Sequence, residues 1–169
     1  MVTTKDIQIL DMFMQEHNIH YVLTGTAALM VHGILPEGYV ADDIDIIVLV
    51  NQNEDTDKYF TVKKTLRQLE LLSGEKKNTD YNSVVITFKA NGVKVNAFMG
   101  GKLLSNNKYS SCDSCCESDN ETYFITTIGD RQIKLSSVMC ILKAKFSLKR
   151  MKDYKFAKDL TSTILNIGF

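Results

Sequence analysis

Residues 21–50 read YVLTGTAALMVHGILPEGYVADDIDIIVLV, and the placement of glycine and acids in this stretch decides the fold. A short apolar strand containing Tyr21 and Leu23 meets Thr24-Gly25-Thr26 and gives way to an apolar helix. Eighteen residues after Gly25, a second strand opens with Asp43 and Asp45 at alternate positions. Side chains alternate faces along a strand, so these carboxylates share one face, roughly 6–7 Å apart. Two unit charges at that distance repel by about 2–3 kcal/mol at an effective dielectric near 20. Water or a cation must offset that repulsion. Ile44, Ile46, Val48 and Val50 make the other face wholly apolar, and Ile47 and Leu49 continue the acidic face as apolar. The strand therefore reads as core on both sides except at its first turn, a placement that suits a divalent metal at the rim of a sheet. Two solvated acids at a strand entrance would give the same pattern.

Strand, Gly25-Thr26, helix, then Asp43-Ile44-Asp45 opening the next strand resembles the nucleotidyltransferase superfamily (the polymerase-β-like fold). Its small bacterial and abortive-infection-type members are the nearest in pattern. The chemistry agrees with the resemblance. A glycine at a strand-to-helix turn lets backbone N–H groups approach phosphate, and the helix N-terminus adds a positive dipole. Two carboxylates can hold Mg²⁺ against nucleotide phosphates. The resemblance implies an α+β fold: a mixed sheet flanked by helices, with a C-terminal helical pair. It further implies Mg²⁺ as cofactor, a nucleoside triphosphate as donor, and a protein or RNA hydroxyl, tRNA included, as acceptor. An antitoxin-like partner within a toxin–antitoxin or abortive-infection pair is implied by resemblance alone. The catalytic candidates are Asp43, Asp45 and Asn96; Asp43 and Asp45 are the metal ligands, and Gly25, Thr26 and Lys145 the nucleotide-binding residues.

Two positions depart from the pattern. In Val93-Lys94-Val95-Asn96-Ala97-Phe98, Asn96 stands where a third acid is expected. Asparagine can offer Mg²⁺ its carbonyl oxygen, but it cannot act as a general base. In the loop before Asp43, Tyr39 and Ala41 stand where related proteins often carry Arg and Thr. These residues favour a second reading, a catalytically silent nucleotide-binding or protein-interaction module. A third is an unrelated α+β domain whose match is coincidence.

Composition sets the frame for these readings. At 169 residues the chain reads as one domain, with a motif-bearing core over 1–100, a mobile surface loop over 103–121 and C-terminal helices over 136–166. Twenty Lys plus Arg balance twenty Asp plus Glu, so no overall field recruits nucleic acid or anionic membrane. The longest apolar run, residues 46–50, is too short to span a bilayer, and the N-terminus has no signal-peptide pattern. Cytoplasm is the expected location. Of four cysteines, three lie in CDSCC (Cys112, Cys115, Cys116), which reads as a zinc knuckle, a redox pair or plain loop thiols.

Along the chain, apolar spacing after a Thr cap predicts a helix over 4–18, and Asp57 to Leu72 reads as another. Asn91-Gly92 predicts one hairpin and Gly129-Asp130 a second. Two helices follow residue 136, and Leu148 and Met151 read as the end of the first one's apolar stripe. On that helix Lys145, Lys149 and Lys152 would share one side, a basic face for phosphate if it borders the cleft.

Overall fold

The computed structural model describes residues 1–50, 55–74, 84–99, 102–105, 108–111, 123–147 and 150–168. The chain runs α1 (Thr4–Glu16), β1 (Tyr21–Thr24), α2 (Gly25–His32), β2 (Asp43–Val48), α3 (Thr56–Ser73), β3 (Val84–Ala90) and β4 (Val93–Met99). It continues through β5 (Lys102–Ser105), β6 (Lys108–Ser111), β7 (Tyr123–Ile128), β8 (Arg131–Ser136), α4 (Val138–Ser147) and α5 (Met151–Asn166). Six strands form one mixed sheet in the order β3-β4-β2-β1-β8-β7, and β5 pairs with β6 separately. This is the α+β architecture expected, with its helical C-terminus.

Face alternation explains why the sheet is both core and site. Register places Leu23 opposite Leu135 and Ile46, Ile46 opposite Ala97, and Ala97 opposite Ile86. This apolar row crosses five strands and every member is buried. Burying each of its larger side chains stabilises the fold by about 1.5–3 kcal/mol. One residue along, on the other face, Thr24, Asp45, Asn96 and Thr87 form a polar row in the same register. Farther along β2 that second face turns apolar: Ile47, Val22, Phe98 and Val85 are buried. The polar row is thus confined to one end of the sheet.

Local sequence sets the flanking elements. Thr3 and Asp6 form a reciprocal capping box that starts α1, whose Ile7, Leu10 and Met14 are buried. Asn91 and Gly92 both take left-handed backbone (φ 52° and 77°), the tight turn that fixes β3 against β4. In α3, Tyr59, Val62 and Leu66 are buried, whereas Phe60 is exposed.

The C-terminal helices differ from expectation in one respect. α4 ends at Ser147 and α5 begins at Met151, which is exposed. Lys145 and Lys152 therefore sit on different helices and share no helical face, while Leu148 and Lys149 lie outside the described residues. Overlapping the start of the stretch read as a surface loop, Lys102–Ser105 pairs with Lys108–Ser111; the CDSCC residues lie outside the described residues.

Candidate functional site

Three strands deliver the site. β1 and β2 run antiparallel, with Thr24 opposite Asp45, and the chain leaves β1 directly into α2. β4 runs parallel to β2 on its other side, placing Asn96 opposite Asp45 and Lys94 opposite Asp43. Gly25 makes the turn with φ +66°, and a Cβ there would lie 2.5 Å from Asp45 Oδ2 and 3.2 Å from Asp45 Cβ. Only glycine combines that backbone with so close an approach. Asp45 therefore lies against the start of α2, whose first backbone N–H groups have no partner within the helix. Thr26 lies in the first turn of α2. The N-cap of this helix is Thr24, which makes no side-chain capping bond. Gly25 is itself the first residue of the helix.

Asn96 is buried (5% exposed) between the two acids. Its Nδ2 donates to Asp43 Oδ2 at 3.1 Å and to Asp45 Oδ1 at 2.9 Å. Its Oδ1 accepts from the Thr87 hydroxyl at 3.1 Å. The reverse orientation would aim a carbonyl oxygen at two carboxylates, so charge fixes which way the amide lies. Asn96 thus meets the acids with its nitrogen; the carbonyl that could have ligated a metal is turned away. Burial, together with the adjacent Asp43 charge, raises the Asp45 carboxyl to about 6. The Asn96 bond and the charges of Lys145 and Lys94 pull in the opposite direction.

Lys145 reaches this neighbourhood from α4. Its Nζ lies 3.6 Å from Asp153 Oδ1 and 5.2 Å from the centre of the Phe156 ring. Asp153, in the first turn of α5, is 3% exposed and also pairs with Arg150. One buried carboxylate thus faces both Lys145 and Arg150.

Tyr39 ties the loop before β2 to α5. Its hydroxyl donates to Asp159 Oδ2 at 2.7 Å, and its ring meets Phe156 edge-on at 4.8 Å. Tyr39 therefore serves packing where an arginine would offer a charge. Asp42 is exposed and makes no part of the polar row.

Sequence reasoning singled out Gly25, Thr26, Asp43, Asp45, Asn96 and Lys145, and the structure gathers them at one end of the sheet and the helices beside it. It missed Thr87 and Lys94, and it did not foresee the pairing of Lys145 with Asp153. Thr87 was within reach: counting outward from Asn91-Gly92, Ala90 meets Val93 and Thr87 meets Asn96. The contact of Asp153 with Lys145 gave no such signal, because it crosses the break between two helices.

The donor set suits a hard cation: carboxylate oxygens only, already bridged by an amide N–H₂ that puts partial positive charge between them. Among the described residues no three His, Cys, Asp or Glu side chains converge into a closed cage. Were a cation held here, two protein carboxylates would leave the rest of its coordination to other ligands.

No protein-family model matches the chain, and no curated protein matches its sequence. Solved structures do. A Thermotoga maritima protein assigned to the nucleotidyltransferases aligns over 96% of this chain and 96% of its own, at 14% identity and TM-score 0.59. The lincosamide antibiotic adenylyltransferase LnuA, seen with lincomycin bound, aligns over 96% and 98%, at 16% identity and TM-score 0.54. ANT(2″)-Ia, seen with adenylyl-2″-tobramycin, aligns over 98% and 91%, at 12% identity and TM-score 0.53. The chain has the nucleotidyltransferase fold. None of the described helices is long and apolar enough to cross a membrane.

Proposed function

We propose that this chain binds a nucleoside triphosphate with Mg²⁺ and transfers its nucleotidyl group to a hydroxyl of a protein or RNA in the cytoplasm. The observation that carries this reading is the contact of Asp45 with the Gly25 turn, in one row with Asn96 and beside Asp43. Asp43 and Asp45 would hold the metal, which supplies charge neutralisation on the phosphates when bound. Gly25 admits phosphate oxygens close to the backbone, and the N–H groups opening α2 donate to them. Lys145, kept in reach by Asp153 and Phe156, adds a cation to the same polyphosphate. Attack by the acceptor hydroxyl oxygen on the α-phosphorus would form a P–O bond, break the bond to the departing pyrophosphate and release the hydroxyl proton to solvent.

Asn96 favours a second reading. It has no site to accept the acceptor's proton, so transfer lacks the roughly 10²–10⁴-fold contribution that a positioned base makes from that position. A protein that binds nucleotide without transferring it fits this residue equally well. The solved neighbours seen with adenylyl-2″-tobramycin and with lincomycin add small antibiotic molecules to the acceptors worth trying. Incubation with α-³²P-labelled triphosphates, Mg²⁺ and RNA, protein or small-molecule acceptors tests the two readings. Label on an acceptor, lost in Asp45→Asn, establishes transfer. Metal-dependent binding without label establishes the silent module.

A further inference from the structure

Asn96 and Thr87 do more than fill the third-acid position. Both are buried, at 5% and 1% exposure, and they form a directed chain: Thr87 hydroxyl to Asn96 carbonyl, Asn96 amide nitrogen to Asp43 and Asp45. The backbone N–H of Thr87 in turn donates to Glu70 Oε1 at 3.3 Å, which ties the strand to α3. Each end of the amide thus has its partner, and rotating it would break three bonds at once.

The bonds also divide the carboxylate oxygens. Asn96 takes Asp43 Oδ2 and Asp45 Oδ1, on the β4 side. Asp45 Oδ2 is left against the Gly25 turn. Sites with two metals place both ions among shared carboxylates, about 3.5–4 Å apart. Here the β4 side of the pair already holds an N–H₂ group whose two protons face the two acids.

We propose that Thr87 locks Asn96 as a donor and that the Asn96 amide stands in for a second cation, so that the cleft takes one divalent ion per bound nucleotide. This rests on the reading that metal and nucleotide bind here, and concerns how many ions the residues allow. Thr87 is a positioning residue: it touches neither ion nor nucleotide and acts through Asn96. Once an ion offsets the carboxylate charge, electrostatic repulsion no longer keeps the Asn96 carbonyl away. The Thr87 hydroxyl then becomes the group that does.

The test counts ions rather than turnover. Mn²⁺ bound to the full chain is measured by electron paramagnetic resonance in the presence of α,β-methylene ATP or GTP. Wild type should bind one Mn²⁺ per chain and Asn96→Asp two. Thr87→Val, which frees the carbonyl to turn, should bind its ion several-fold tighter than wild type, while Thr87→Ser should match wild type. Two ions in wild type, or one in Asn96→Asp, overturns the stand-in role and leaves the nucleotide-binding reading intact. Equal affinity in Thr87→Val and wild type overturns the lock. No bound Mn²⁺ in wild type overturns both the inference and the functional reading beneath it.

Discussion

Gly25 and Asp45 are packed so closely that position 25 has no room for a side chain: a Cβ would sit 2.5 Å from Asp45 Oδ2. The left-handed backbone at Gly25 adds a second barrier to substitution. Gly25→Ala should cost about 1–3 kcal/mol of stability, read as a lower melting temperature. Because Asp45 must move, Mg²⁺-dependent triphosphate binding should weaken about tenfold or more. Unchanged binding would show that the contact is incidental to the site.

Asp45→Asn should behave in the opposite way on stability. Asp43 and Asp45 repel one another without metal, and removing one charge relieves about 1–3 kcal/mol of that repulsion. The variant's melting temperature in the absence of divalent ions should equal or exceed wild type, while metal-dependent nucleotide binding disappears. A melting temperature several degrees lower would make Asp45 a structural acceptor for Asn96.

Lys145 and Asp153 should separate binding from stability. Lys145→Ala should weaken triphosphate binding and leave the melt nearly unchanged, since the lysine keeps some exposure. Asp153→Ala leaves Lys145 and Arg150 without their buried carboxylate and should cost about 3 kcal/mol, the low end for a broken buried pair. Denaturant melts and calorimetric titration of both variants distinguish the two effects.

Asp6 gives a pH-dependent handle on the fold. The Thr3 hydroxyl bond, aided by Asn91, lowers its carboxyl below the ordinary range. A folded pKa below the unfolded one adds stability above about pH 4, lost as pH falls through the folded value. Asp6→Asn weakens the capping-box hydrogen bonds and should therefore be destabilised by about 1 kcal/mol at pH 7 and converge on wild type in acid. A deficit constant with pH would mean that packing, not charge, holds the cap.

How much of this was legible depends on distance along the chain. The β1–Gly25–α2 unit, the acids at alternate positions and both hairpins are written in neighbouring residues. Even the Thr87–Asn96 pairing follows from the turn at Asn91-Gly92. The parallel contacts of β2 with β4 and β1 with β8 join segments dozens of residues apart, where hydrophobic pattern specifies burial but not partner. The Tyr39–Asp159 bond spans 120 residues and depends on where α5 packs. The orientation of the Asn96 amide lay beyond sequence for another reason. Asparagine offers both a donor and an acceptor, and only the placement of Thr87 and the two acids selects between them.

The central claim is that Asp43, Asp45 and the Gly25 turn form one metal–triphosphate site. Calorimetric titration of a non-hydrolysable triphosphate with and without Mg²⁺, on wild type and Asp45→Asn, tests it most directly. Binding by wild type only when Mg²⁺ is present, and by Asp45→Asn in neither condition, is the predicted result. Equal binding with chelator present, or retained by Asp45→Asn, would contradict the account.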